Sequence, residues 1–270
     1  MRVDFSGVRA KLRRGDHHFC ALRGEVKAWM ESEPKPYGYF LANPDEGDPE
    51  CIRRFVCLDI RQPIPAERWG ILLGDFLNCY RAALDHAVYA LAVMFTSKDP
   101  PPTAEIAAFP ICDSYGAWAG HGVQRRISDL SPLARAVIQD HQPYLRERAA
   151  QGAGLSSLRT LRALNDCDKH RLLHIAALVP SHYNITMTQG PGFVHNVGVF
   201  GPVEDQAPAL MVWLAGVPEP GGLEMEVTMT MIIGIDNPQQ FGRYYRLTVT
   251  ADAIRRAVRA VIGDLERLGR

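Results

Sequence analysis

Apolar residues recur at three- and four-residue spacings over residues 5–32, where Val8, Leu12, Phe19, Leu22, Val26 and Trp29 form one stripe. The spacing predicts a helix. Gly15 and Gly24 work against it, and Pro34 and Pro36 end it. The period then drops to two. YGYFLA (Tyr37–Ala42) and CIRRFVCLDIRQ (Cys51–Gln62) read as strands, with the polar NPDEGDPE between them as a hairpin loop. Pro63 and Pro65 close the second strand, and a long helix is expected from Ala66 to Met94. Thr96–Gly122 holds DPPPT and little periodicity, so it reads as an irregular connection. In SPLARAVIQDHQPY a short helix is expected, with Ser131 as N-cap, Pro132 in its first turn and Pro143 as its stop. QGAG (151–154) reads as a turn, followed by a helix over Leu155–Leu178.

From His182 the character changes. HYNITMTQ, FVHNVGVF, ALMVWLAGV, LEMEVTMTMIIGI and RYYRLTVT are β-rich and separated by Gly/Pro turns, among them GPGF (Gly190–Phe193) and EPGG (Glu219–Gly222). The Met-rich strand reads as core. TADAIRRAVRAVIGDLERL follows as an amphipathic helix with Thr250 as N-cap. The fold class expected is α+β, a helical bundle packed with a mostly antiparallel sheet that the early hairpin joins. The division expected is 1–180, mainly helical with the hairpin, and 181–270, β-rich and ending in a helix, the two packed as one unit.

Composition narrows the function. Lys plus Arg equals Asp plus Glu at 30 each, which weighs against a DNA-coating role. The cysteines (Cys20, Cys51, Cys57, Cys79, Cys112 and Cys167) form no C-x-x-C pair, and no zinc-ribbon spacing or disulfide framework is visible. Together with an N-terminus lacking a signal-peptide core and no run of membrane-spanning length, this gives a cytoplasmic expectation and no membrane partner. There is no P-loop, G-x-G-x-x-G, G-x-S-x-G or H-E-x-x-H, and no cofactor is expected. His17 and His18 read as surface residues.

Two helices carry polar residues out of pattern. On Leu155–Leu178, Leu158, Leu161, Leu164, Leu172, Ile175 and Ala176 share a face at about 100° per residue, and Asn165 and Asp168 fall inside that arc. Buried there, they need partners. Asp166, His170 and His174 lie opposite, the histidines at i and i+4. On Ala66–Met94, the stripe Phe76, Leu77, Tyr80, Leu84, Val88 and Leu91 faces a patch of Asp75, Asn78, Asp85, His86 and Tyr89, with Arg81 at its margin. Within Gly74–Ala92 there is no Lys or Glu, which suits specific hydrogen bonding better than a solvated face. The two helices are expected side by side, with Asp168 paired to Arg81 or His86.

GDFLNCYRAALDHAVYALA resembles a segment of uncharacterised bacterial and phage-associated proteins of the form G-D-x-L-H-N-x-R-S-A-L-D-H. LNDCDKHRLL resembles their L-N-x-x-D-K-H-R-L-L, and FPI (Phe109–Ile111) and QPY (Gln142–Tyr144) recur in the same order. That resemblance brings no established activity, and this chain has Asn78, Cys79 and Ala82 where the pattern has His, Asn and Ser. Arg81-AALD-His86 also resembles the Arg-x4–6-His mark of HEPN domains, helical bundles that act as metal-independent ribonucleases.

The HEPN resemblance implies an endoribonuclease with RNA as partner. His86 would be general acid/base and Arg81 would hold the phosphorane charge, with Asp85, Asp168 and His170 completing the catalytic group. Asn78, Asn165, Lys169 and Arg171 would contact substrate. Residues five apart on a helix point about 140° apart, so one phosphate would require a bend or a symmetric homodimer. A second reading places a metal on His170 and His174 with His86 or Asp85. The third, taken as the main one, is a non-enzymatic binding or structural module with a polar inter-helix cluster.

Overall fold

A helical stripe needs a partner surface, and α1 (Ser6–Glu31) buries the one its spacing predicts: Val8, Leu12, Phe19, Leu22, Val26 and Trp29 are all buried. Gly15 has a reason to stand mid-helix. A Cβ there would lie 2.5 Å from the Tyr80 ring, so glycine admits the tyrosine. The computed structural model describes residues 3–42, 52–145, 156–169, 175–189, 193–199, 206–215, 224–236 and 244–269. The chain groups into two compact units, each discontinuous in sequence: Met1–Leu22, Trp69–Leu173 and Thr248–Arg270 in one, Arg23–Arg68 and His174–Leu247 in the other.

In the first unit, α2 (Ala66–Thr96) buries Phe76, Leu77, Tyr80, Leu84, Val88 and Leu91 as expected, and adds Leu73, Ala83 and Ala87. Each fully buried Leu or Phe stabilises by roughly 1.5–3 kcal/mol. The connection expected to be irregular folds in part. It contains α3 (Tyr115–Ala119), capped by the Ser114 hydroxyl accepting from the Ala117 N–H at 3.1 Å, and α4 (His121–Arg126). α5 (Pro132–Asp140) starts where the sequence places it, with Ser131 Oγ accepting from the Ala134 N–H at 3.2 Å and Pro in its first turn.

α6 (Ser157–Asp168) is shorter than the helix expected to Leu178. Ile175–Leu178 belongs to a strand, β3 (Ile175–Gln189), with Ile175 opposite Ile235 and Ala176 opposite Gly234. A run such as HIAALV satisfies a buried strand as well as a helix, and pairing decides between them. Leu172, QGAG and NPDEGDPE lie outside the described residues, as do Gly190–Gly192 of GPGF and all of EPGG.

In the second unit, β1 (Tyr37–Ala42) and β2 (Ile52–Ile60) pair antiparallel, as the hairpin reading expects. β2 also pairs with β5 (Pro208–Ala215), and β5 with β4 (Phe193–Val199), giving the order β1-β2-β5-β4. The hairpin therefore does join later strands. Where a single sheet was expected there are two: β3, β6 (Glu224–Asp236) and β7 (Tyr244–Arg246) form the second, also antiparallel. On β6, Val227, Met229, Met231, Ile233 and Ile235 alternate inward, so Met229 and Met231 are core. The class is α+β.

α7 (Leu247–Leu268) begins a turn earlier than the Thr250 cap. Leu247 precedes Ala251, Ile254, Val258, Val261, Ile262 and Leu265 in one buried series, so its burial extends the helix through LTVT despite the β-branched residues. No described helix is long and apolar enough to cross a membrane.

Candidate functional site

The site is built on backbone that has no regular secondary structure of its own. Phe109–Cys112 carries the FPI motif, and three helical segments hold it by side chain to main chain. From α2, Asp85 Oδ1 accepts the Phe109 N–H at 2.8 Å, and Arg81 Nη2 donates to the Phe109 carbonyl at 2.6 Å and to Asp85 Oδ1 at 2.9 Å. Just beyond α5, the fully buried Gln142 of QPY accepts the Cys112 N–H at 2.8 Å. Its amide also donates to the Pro110 and Ile138 carbonyls at 2.9 Å each. From α6, Arg162 Nη1 donates to the Ile111 carbonyl at 2.9 Å. An irregular buried segment needs its polar groups satisfied from elsewhere, and these residues do that.

In front of this segment lies a recess of about 410 Å³, open to solvent. Its walls include Arg81, Arg126, Arg162, Lys169, Asn165 and Asp166, with Ile111, Ala117 and Val123 as apolar surface. Lys169 pairs with Asp166 at 3.0 Å, and Arg162 with Asp113 at 3.2 Å. Arg126 has no carboxylate partner among the described residues. The recess thus offers more cationic donors than its own carboxylates neutralise. Asn165 is 1% exposed and its buried Oδ1 has no hydrogen-bond partner among the described residues. Behind the wall, burial pushes the Asp85 carboxyl above its ordinary range while the Arg81 charge and the Phe109 N–H pull it back.

α6 meets α2 at Asp168, and Asn165 is buried. Asp168 meets α2, but its partner is neither Arg81 nor His86: Asn78 Nδ2 donates to its Oδ2 at 3.1 Å. Arg81 is already engaged by Asp85 and Phe109, and Asn78 lies one turn closer to Asp168. Burial raises the Asp168 carboxyl, the Asn78 bond lowers it, and neighbouring Asp75 raises it. Asn78 is otherwise exposed.

His86 stands apart. It is exposed and lines a different cavity of about 230 Å³, with Asp4, Gly7, Tyr89, Met94 and Asp99. The 140° separation expected of Arg81 and His86 is realised as two separate openings. Lys169 joins the recess, whereas His170, Arg171 and His174 lie outside the described residues. No group of three His, Cys, Asp or Glu among the described residues is arranged to hold a metal. His17 is exposed as read, but the His18 side chain is only 12% exposed, 3.8 Å from Asp75, and burial lowers its pKa.

Sequence reasoning missed Gln142 as a clamp and Arg126 and Arg162 as walls. Arg162 carries a local signal, standing four residues before Asp166 with their side chains 3.8 Å apart. Arg126 carries none. Comparison with family models, curated proteins and solved structures yields no match.

Proposed function

We propose that the protein is a non-enzymatic binding module whose ligand is an anion received in the recess between α2, α6 and the Phe109–Cys112 segment. The observation that carries this is the convergence of Arg81, Arg126, Arg162 and Lys169 on one open recess, with Arg126 unneutralised among the described residues. Guanidinium groups present several N–H donors in a fixed fork, and the two that brace backbone here keep donors to spare. The recess volume falls within the range of small-ligand sites, roughly 300–1,000 Å³. The endoribonuclease alternative, with RNA as substrate, draws no support from this geometry within one chain, because Arg81 and His86 line different cavities.

The test is titration calorimetry with inorganic phosphate in a phosphate-free buffer of low ionic strength. Saturable one-to-one binding is expected, weakening at least about tenfold in Arg126→Ala/Lys169→Ala, since each charged hydrogen bond is worth about 1.5–3 kcal/mol before solvent screening. Both residues are exposed, so the variant should fold. Absence of binding, or binding indifferent to the two substitutions, would refute the reading.

A further inference from the structure

Every cationic group in the recess wall is a donor, yet the most buried polar side chain there holds an acceptor atom without a partner among the described residues. Asn165 is 1% exposed, and its Oδ1 has no hydrogen-bond partner among the described residues. A buried acceptor left unpaired is costly, so such an atom in the wall of a binding recess marks where a ligand donor belongs. A ligand that satisfies both halves of this wall is an anion that still carries a proton.

We infer that the recess selects phosphate over sulfate, and that Asn165 is the residue that tells them apart. This rests on the anion-binding reading above and goes one step further. The two ions share tetrahedral geometry, similar size and, near neutral pH, a double negative charge. Only hydrogenphosphate retains an O–H. Arg81, Arg126, Arg162 and Lys169 would hold either ion through its charge. The O–H of phosphate would donate to Asn165 Oδ1, whereas sulfate brings a lone pair against a lone pair and leaves the acceptor buried and unmet. A site built to bond a hydroxyl discriminates strongly against the isostere that lacks it. A phosphate ester with a hydroxyl on the neighbouring carbon presents the same pair of groups, so the ligand class is a phosphate with an adjacent O–H donor.

The experiment compares inorganic phosphate, glycerol 3-phosphate and sulfate by calorimetry on the full chain, wild type and Asn165→Leu, at constant ionic strength. The expected result is at least about tenfold tighter binding of phosphate and of glycerol 3-phosphate than of sulfate to the wild type. In Asn165→Leu the ratio falls to near one while sulfate affinity is unchanged, an effect that a merely structural asparagine would not produce. Whichever phosphate binds more tightly identifies the free ion or the ester as the better ligand, and either order supports the inference. Equal affinity of wild type for phosphate and sulfate would overturn it and leave anion binding standing. A preference that survives in a folded Asn165→Leu would overturn the role of Asn165. Failure of all three anions to bind would instead overturn the anion-binding reading beneath it. Should Asn165→Leu not fold, the wild-type ratio still decides.

Discussion

Asp168 rests against α2 because residue 74 has no side chain. A Cβ on Gly74 would lie 2.4 Å from its Oδ1 and 2.6 Å from its Oδ2, closer than atoms approach. The carboxyl is thereby held partly out of water with one bond, from Asn78. Burial raises its folded-state pKa above the ordinary 3.8. A carboxyl with that sign binds its proton more tightly in the folded chain. Its stabilising contribution is complete below 3.8 and is lost as pH rises through the folded-state pKa. Asp168→Asn keeps an acceptor for Asn78 and removes the charge. It should melt at a higher temperature than wild type at pH 7, with the difference closing on acidification toward 3.8. Thermal unfolding followed by circular dichroism across pH checks this, and a variant less stable than wild type at pH 7 would show that the carboxylate is needed ionised.

At the level of elements, the FPI segment depends on a single glutamine for both of its inner hydrogen bonds. Gln142→Leu is close in volume but leaves the Cys112 N–H and the Pro110 carbonyl without their partner. Each orphaned buried group costs about 1–3 kcal/mol, so urea unfolding should show a loss of about 2–6 kcal/mol. A loss below about 1 kcal/mol would mean that the segment finds other partners. Periodicity made much of the fold legible. The α1 and α2 stripes and the β1–β2 hairpin depend on contacts that repeat every two or every three to four residues, and local spacing records them. Ile175–Leu178 was not legible as strand, because its pairing with Ile233–Ile235 is a long-range contact. The first turn of α7 was hidden for the same reason, since β-branched LTVT turns helical only once Leu247 is buried. Of the site, Arg81, Asn165 and Lys169 stood out as polar residues in or beside apolar patterns. Arg126, Gln142 and the Phe109–Cys112 backbone come from separate stretches, and only the fold brings them together.

At the scale of the whole chain, its two ends meet in the helical unit. Asp16 of α1 accepts from the Tyr80 hydroxyl of α2 at 2.7 Å and from Arg255 Nε of α7 at 2.8 Å, with Arg259 on its other oxygen. Burial works to raise the Asp16 carboxyl, but the bonds from Arg255 and Tyr80 and the two arginine charges together hold it below the ordinary range. Its contribution is present above 3.8 and is lost as pH falls through the lower folded-state value. Asp16→Asn should cost about 1–3 kcal/mol at pH 7 and converge on wild type in strong acid. Urea midpoints at the two pH values test this, and a cost that persists undiminished in acid would point to lost packing in place of lost charge. The proposed anion site in front of Phe109–Cys112 lies in the same helical unit. The most direct measurement is a titration of inorganic phosphate into ¹⁵N-labelled protein, followed by amide chemical shifts. The expected outcome is saturable shifts concentrated on the Asn165 side-chain amide and the backbone of Ile111 and Cys112, displaced to at least about tenfold higher phosphate in Arg126→Ala/Lys169→Ala. Shifts confined to residues elsewhere, or no saturable shift at all, would contradict it.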